Sequence, residues 1–161
     1  MKVIITKEDY WQLNKFVMLS KYKATVYSYL IGMPIIIALI LYVTKTSLWY
    51  SVTFGLTAGI LIHLFSYFRL KQRVYKLTVE NKGIVGEQEL EVTEKGLVWK
   101  NEATEGLTQW SGIEGVEQNK EYVFIFINKI MAHIVPKRTF ESQTELDRFL
   151  AGIQQNLMNS K

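Results

Sequence analysis

The chain has 161 residues, no cysteine and a formal net charge of +4. Without cysteine it forms no disulfide, thiolate metal site or thiol nucleophile. Residues 1–76 carry ten Lys/Arg against two Asp/Glu, a balance of +8, whereas residues 77–161 carry nine against thirteen, a balance of −4. Basic charge beside apolar segments suits anionic lipid headgroups, while nucleic-acid binders usually carry it on the folded domain itself. No nucleic-acid partner is therefore expected.

The N-terminal segment predicts an amphipathic helix. Thr6 is a suitable N-cap, and Asp9 follows it at the spacing of a capping box. Apolar side chains then recur at helical intervals, namely Tyr10, Leu13, Phe16 and Val17. We expect residues 1–23 to form a juxtamembrane amphipathic helix.

Two apolar runs, 26–43 and 47–68, contain no Asp, Glu, Lys or Arg and are separated by Thr44-Lys45-Thr46. At about 1.5 Å per residue, each run is long enough to cross a hydrocarbon core of roughly 30 Å. The short connection predicts an antiparallel transmembrane hairpin over residues 24–70. The first run begins far from Met1 and lacks a small-residue cleavage signal, so it is interpreted as an anchor and not as a signal peptide.

The orientation of the hairpin follows from the basic residues near the ends of the spans. Only Lys45 lies in the connection, whereas the opposite ends carry Lys15, Lys21, Lys23, Arg69, Lys71, Arg73 and Lys76. The sequence therefore predicts a multi-pass protein of the cell membrane with both termini in the cytoplasm.

Beyond a linker or helix extension at residues 71–85, the pattern changes to short segments separated by turn signals such as Asn81-Lys82-Gly83 and Glu94-Lys95-Gly96. Six strands are predicted, near residues 87–92, 97–101, 105–109, 113–118, 122–127 and 132–135. Ser142 and Glu145 then form a capping box that begins a C-terminal amphipathic helix. Residues 86–161 are expected to form one β domain.

Four segments resemble the YcxB-like family: Ile5-Thr6-Lys7-Glu8-Asp9-Tyr10, Thr93-Glu94-Lys95-Gly96-Leu97, Trp110-Ser111-Gly112-Ile113-Glu114-Gly115-Val116 and Ile134-Val135-Pro136-Lys137-Arg138-Thr139-Phe140. The resemblance implies a small bacterial membrane protein whose cytoplasmic part is a pleckstrin-homology-like β-barrel closed by a helix. The expected fold class is thus membrane α + β: an amphipathic helix, a transmembrane hairpin and a small antiparallel β-barrel or sheet. The resemblance brings no catalytic, cofactor or metal residues.

The second span carries Ser51, Gly55, Gly59 and His63 at intervals of four, which places small residues and an imidazole on one helical face. This groove is expected to receive either the chain's own first span or another subunit. His63 is interpreted as a structural histidine near Tyr27 and Ser28, because the spans contain no carboxylate for proton transfer. In the first span, Pro34 removes the hydrogen bond that its amide would make to Leu30.

Two sets of residues in the β domain are candidate contact sites. Lys137 and Arg138 could meet an anionic headgroup, or they could simply form a solvated turn. The predicted strand 122–127 is apolar on both faces, so Tyr122, Phe124 and Phe126 need a cover: the C-terminal helix, another subunit or a partner. His133 has no ligand at metal-binding spacing, and Ser111 is interpreted as a turn or cap residue.

These features favour a non-enzymatic, membrane-anchored interaction or regulatory protein that acts as a scaffold, without a cofactor. An enzyme would need a cluster of titratable residues, which the sequence does not suggest. A headgroup sensor is one alternative, and an accessory subunit of a transporter is another. The expected partners are the lipid bilayer and a protein of unknown identity, and a homo-oligomer is left open.

Overall fold

A computed structural model describes residues 1–81 and 83–160. In this part of the chain there are seven strands and four α-helices, in the order β1 Lys2–Ile5, α1 Lys7–Ser20, α2 Lys23–Val43, α3 Leu48–Glu80, β2 Gly86–Val92, β3 Gly96–Asn101, β4 Glu105–Gln109, β5 Gly115–Gln118, β6 Tyr122–Phe126, β7 Ala132–Pro136 and α4 Gln143–Asn159. Short 3-10 turns lie at Trp110–Gly112 and Lys137–Thr139. The predicted turn Asn81-Lys82-Gly83 includes Lys82, which lies outside the described residues.

The strands form two antiparallel sheets. One has the order β1-β2-β3-β4 and the other has the order β5-β6-β7. The expected antiparallel β-structure is confirmed, but within the described residues the sheets do not join into a closed barrel. The 3-10 turn Trp110–Gly112 interrupts the chain between β4 and β5, so the hydrogen-bond ladder of the first sheet ends there.

All six predicted strands are confirmed with small shifts at their ends, but β1 was missed. It pairs with β2, Lys2 opposite Glu89 and Ile5 opposite Gly86. The Met1 ammonium also donates to the Leu90 carbonyl at 2.6 Å. A strand of four residues whose partner lies more than eighty positions away leaves almost no signal in its own sequence.

The chain forms two compact units. One combines Met1–Lys15 with the chain from Tyr75 onward, and the other is Phe16–Val74. We call these the β unit and the helical unit. The expected boundaries at 1–23, 24–70, 71–85 and 86–161 therefore differ from the observed division, because β1 and the first half of α1 fold with the β domain. The stretch after residue 70 continues α3 to Glu80, as a helix extension.

In the helical unit, α2 has 21 residues and is long and apolar enough to cross a membrane. The same holds for α3, whose 33 residues correspond to about 50 Å at 1.5 Å per residue. They are joined by a tight turn in which Lys45 has a φ of 65°. There the Thr44 hydroxyl donates to the Leu41 carbonyl at 2.7 Å, which satisfies one carbonyl at the end of α2.

In the β unit, the four-stranded sheet has one buried and one exposed face. Val3, Leu90 and Leu97 are buried. The opposite face carries exposed ion pairs, between Lys2 and Glu87 at 2.6 Å and between Lys100 and Glu105 at 3.7 Å. Residues of β6 and β7 and the buried Leu146 and Ile153 of α4 complete the core. The predicted capping box of α4 is observed, with the Glu145 amide donating to Ser142 Oγ at 3.2 Å.

Candidate functional site

Asp9 is 1% exposed, and its carboxylate accepts hydrogen bonds from three other residues of the β unit. Arg138 donates two hydrogen bonds to the Asp9 carboxylate, from Nη1 to Oδ1 at 2.8 Å and from Nη2 to Oδ2 at 2.6 Å. The Tyr122 hydroxyl donates to Oδ1 at 2.8 Å. The amide and hydroxyl of Thr6 donate to Oδ2 at 2.7 and 2.8 Å. We call Thr6, Asp9, Tyr122 and Arg138 the Asp9 cluster.

Local sequence explains how each member is positioned. Thr6 caps α1 by accepting the Asp9 amide at 3.2 Å, which confirms the predicted capping box and places the carboxylate at a helix N-terminus, where negative charge is favoured. Tyr122 begins β6 opposite Pro136, the last residue of β7. Arg138 follows in the 3-10 turn Lys137–Thr139, so it projects beside Tyr122. Its Nη2 also donates to the Ile4 carbonyl at 3.1 Å.

The charges of the Asp9 cluster are fixed at physiological pH. Burial alone would raise the pKa of Asp9, but hydrogen bonds from Arg138, Thr6 and Tyr122 outweigh it and hold the pKa at about 2. Burial and the neighbouring Asp9 raise the pKa of Tyr122 to about 12. The hydrogen bonds to Asp9 also raise the pKa of Arg138. None of these groups titrates near neutrality, so the cluster acts as a structural clamp.

The two candidate headgroup residues, Lys137 and Arg138, form hydrogen bonds with different side chains of the β unit. The Arg138 side chain is 53% exposed, but its guanidinium is committed to Asp9. Lys137 Nζ donates to Gln118 Oε1 of β5 at 2.9 Å on the surface. A phosphate group that bound both Lys137 and Arg138 would have to compete with the Asp9 carboxylate for the Arg138 guanidinium.

The candidate partner face is corrected by the structure. Tyr122, Phe124 and Phe126 are 5%, 0% and 2% exposed, so they offer no surface to a partner. Their rings follow one another along β6, with centroids 5.7 and 6.3 Å apart. The contact of Tyr122 with Asp9 shows that the N-terminal segment of the same chain covers its end of this face. That cover was missed because nothing near β6 in the sequence indicates it.

The small-residue face of α3 lies against α2 of the same chain. A Cβ atom at Gly55 would be 2.8 Å from both Ala38 Cβ and the Pro34 carbonyl oxygen, and one at Gly59 would overlap Pro34 Cγ. Ser51 is buried, and its hydroxyl lies 2.7 Å from that of Thr46. Only glycine permits so close an approach of two helices at these positions.

His63 forms a hydrogen bond with the Leu30 carbonyl, which lacks its usual helical donor because of Pro34. In a regular helix the amide of residue 34 would donate to the Leu30 carbonyl, but proline has no N–H. His63 Nε2 lies 3.1 Å from that carbonyl oxygen, so Nε2 carries the proton and donates it. The ring also packs edge-on against Tyr29 at 4.8 Å. His63 Nδ1 is buried without a hydrogen-bond partner among the described residues.

His133 lies inside the β unit. Its Nε2 is 3.1 Å from the Thr108 hydroxyl, and its ring lies 5.9 Å from that of Trp99. Burial lowers the pKa of His133 to about 4, which keeps it neutral. Among the described residues, no group of three or more His, Asp or Glu is placed to hold a metal ion. Ser111 lies in the 3-10 turn after β4, as predicted.

Residues 92–153 match the YcxB-like protein family. The match runs from the end of β2 into α4 and includes three of the four segments that carry the resemblance, so the resemblance is confirmed over this stretch. The fourth segment, Ile5–Tyr10, lies outside it. No curated protein and no solved structure matches the chain.

Proposed function

We propose that the chain is a membrane-anchored, non-enzymatic scaffold that presents a pleckstrin-homology-like domain at the cytoplasmic face. The observation that carries the proposal is the division of the β unit between both ends of the chain. Met1–Lys15 and the chain from Tyr75 onward form one compact unit, and the apolar hairpin is inserted between β1 and β2. A domain built in this way is connected to its hairpin at two points.

The same division supports a hairpin that crosses the bilayer twice. If α2 and α3 each cross once, the chain returns to the side from which it departed. One folded unit made of both ends requires that they lie on the same side. The basic residues near the ends of the spans opposite the connection support a cytoplasmic location for that side.

The pleckstrin-homology-like assignment is supported by the strand count and by the family match. With β1 included, the β unit has seven strands in sheets of four and three, followed by a C-terminal helix. Seven strands and a closing helix are the expectation that the family resemblance carries. The contact between β1 and β7 brings the two sheets together at one corner.

A scaffold is favoured over a headgroup sensor by charge. The β unit, made of residues 1–15 and 75–161, has a formal charge balance of −2, which anionic lipid repels. Arg138, one of the two candidate headgroup residues, is already paired with Asp9. A transporter accessory subunit is compatible with the hairpin, but no contact within the described residues favours it.

The anchoring is tested by labelling single cysteines in intact cells. A cysteine at Thr46, in the connection, should react with an impermeant reagent, and one at Ser160 should react only after the cells are opened. The reverse pattern would contradict the cytoplasmic assignment.

The scaffold role is tested by crosslinking in cells. A photoreactive residue is placed in turn at Ile4, Leu107 and Met158, which are exposed on the β unit, and at the buried Leu97 as a control. We expect the same protein to be captured from at least one exposed position and none from the control. The purified protein should then bind the full chain in nanodiscs of neutral lipid. Crosslinks to lipid alone would favour the headgroup sensor.

A further inference from the structure

A cavity of about 320 Å³ opens in the β unit. Its size lies at the lower end of the range of about 300 to 1,000 Å³ that is usual for small-ligand sites. Nine of its fourteen lining residues are aliphatic, Met or Trp side chains, contributed by β1, α1, β3, β7 and the loops beside them. The ring of Trp99 lies close over Gly106, where a Cβ atom would come within 2.7 Å of the indole. The cavity therefore offers apolar contact to a ligand.

Three polar side chains of the cavity, those of Gln88, Asn101 and His133, already have partners within the chain, while Tyr10 adds a ring with a hydroxyl group to the lining. Gln88 Nε2 donates to the Gly83 carbonyl at 3.2 Å, and Asn101 Nδ2 donates to the same carbonyl at 3.0 Å. Asn101 Oδ1 accepts the amides of the turn that follows β3. His133 pairs with Thr108. A polar ligand would have to displace these bonds, whereas a hydrocarbon chain would leave them intact.

The exposed lining residues Ile130 and Met131 lie in the turn between β6 and β7, and we call this open side the mouth of the cavity. Asn128 Oδ1 accepts the amides of Ile130 and Met131 at 2.9 and 2.8 Å, which holds both residues in place. Their side chains are nevertheless 54% and 55% exposed. Lys129, at the tip of the same turn, is also exposed. An apolar rim with a cation at its edge suits a ligand that has an apolar chain and an anionic head.

We propose that this cavity binds a long-chain fatty acid, with the hydrocarbon chain among the apolar side chains and the carboxylate at the mouth beside Lys129. One hydrocarbon chain removes the apolar lining from water. The ammonium of Lys129 complements the carboxylate. The inference goes beyond the proposed scaffold function and rests on it only for the membrane as a reservoir of fatty acid.

The test uses the full chain in phosphatidylcholine nanodiscs and maps photochemical adducts by mass spectrometry. One arm contains a free long-chain fatty acid with a diazirine near its methyl end. The other arm contains a phosphatidylcholine with the same group on one acyl chain. We expect the free fatty acid to label buried cavity residues such as Ile5 and Leu13, away from the mouth, and excess unlabelled fatty acid to remove these adducts. The phospholipid should label α2 and α3 and spare the cavity.

Two variants keep the outcome decisive. Ala132→Phe places a ring in the cavity and should abolish the cavity adducts, whereas Leu107→Phe adds the same ring on the exposed face of the other sheet and should not. Lys129→Gln changes an exposed side chain, so the fold is kept, and it should lower the adduct yield about threefold, as expected for an exposed ion pair.

Three results would overturn the assignment: no cavity adducts from the fatty acid, equal labelling of a folded Ala132→Phe variant, or cavity labelling by the phospholipid alone. The last of these would assign the cavity to a bilayer lipid chain. Failure of the phospholipid to label α2 and α3 is a separate outcome, which would contradict the membrane anchor and leave the cavity result to stand by itself.

Discussion

Asp9 and Arg138 lie 129 positions apart in the chain, yet their side chains meet through two hydrogen bonds of 2.8 and 2.6 Å, one to each carboxylate oxygen. The hairpin of α2 and α3 is inserted between them in the sequence. Their contact therefore fixes the N-terminal segment to the part of the β unit that follows the hairpin.

Arg138→Gln should destabilise the β unit, because it leaves the Asp9 carboxylate buried without its cation. A fully buried broken pair costs about 3–5 kcal/mol, and the exposure of Arg138 lowers the expected loss to about 2 kcal/mol. Thermal unfolding in micelles measures it. The control is Lys100→Gln, which removes an exposed pair with Glu105 and should change stability by less than about 1 kcal/mol. Equal losses in the two variants would contradict the clamp.

Lowering the pH should destabilise the β unit over the range between the ordinary pKa of His133 and its pKa in the folded chain. Burial lowers its folded pKa to about 4 from the ordinary 6.5. At a pH between these two values, His133 is protonated in the unfolded chain but not in the folded chain. The free energy of unfolding therefore falls as pH decreases through this range. His133→Gln keeps a hydrogen-bonding group near Thr108 without a titrating one, so its melting temperature should vary less with pH there. Parallel pH profiles of the two proteins would exclude His133 as the cause.

Asp9 should make the stability of the β unit depend on pH in a lower range than His133 does. Its folded pKa of about 2 lies below the ordinary 3.8, so its stabilisation is present above the ordinary value and disappears as pH falls towards 2.

The helical parts and most strands could be predicted because their signals are local. The apolar runs, the caps at Thr6 and Ser142 and the alternation in β2 each lie within a few consecutive residues. Contacts between distant segments could not be read in this way. Nothing around Tyr122 indicates that Asp9 will accept a hydrogen bond from its hydroxyl, so the sequence leaves open whether the C-terminal helix, another subunit or a partner covers the aromatic face of β6. Because proline has no N–H, Pro34 did indicate that the Leu30 carbonyl would lack its helical donor. The sequence did not indicate that His63 would donate to it instead.

Gly59→Leu should disrupt the packing of α3 on α2. Even the first side-chain atom would overlap Pro34 Cγ, and loss of close packing should cost about 1 kcal/mol or more. Gly32→Leu is the matched control, since a Cβ atom at Gly32 meets nothing within 4 Å. Energy transfer between dyes on α2 and α3 in micelles measures the association. If energy transfer is unchanged and chemical crosslinking instead detects the loss of an oligomer, the groove serves a subunit interface.

The hydrogen bond between His63 and the Leu30 carbonyl should depend on Pro34. His63→Leu leaves that carbonyl without a donor and should cost about 1 kcal/mol. In a Pro34→Ala background the amide of residue 34 can donate to Leu30, so the same change should cost less. A double-mutant cycle on hairpin stability measures the difference. Additive effects of the two substitutions would show that His63 and Pro34 act separately.

A soluble β unit should require both ends of the chain. Residues 77–160 alone lack β1, which supplies the buried Val3 and Ile5, and lack Asp9, the partner of Arg138.

We expect this fragment to unfold without a cooperative transition. A version in which Met1–Lys15 is joined to the chain from Tyr75 by a Gly/Ser linker should unfold cooperatively. Thermal unfolding followed by near-UV circular dichroism distinguishes the two, and a linked version with residues 1–15 scrambled is the control. If the fragment 77–160 unfolds as cooperatively as the linked chain, β1 and Asp9 are not integral to the fold.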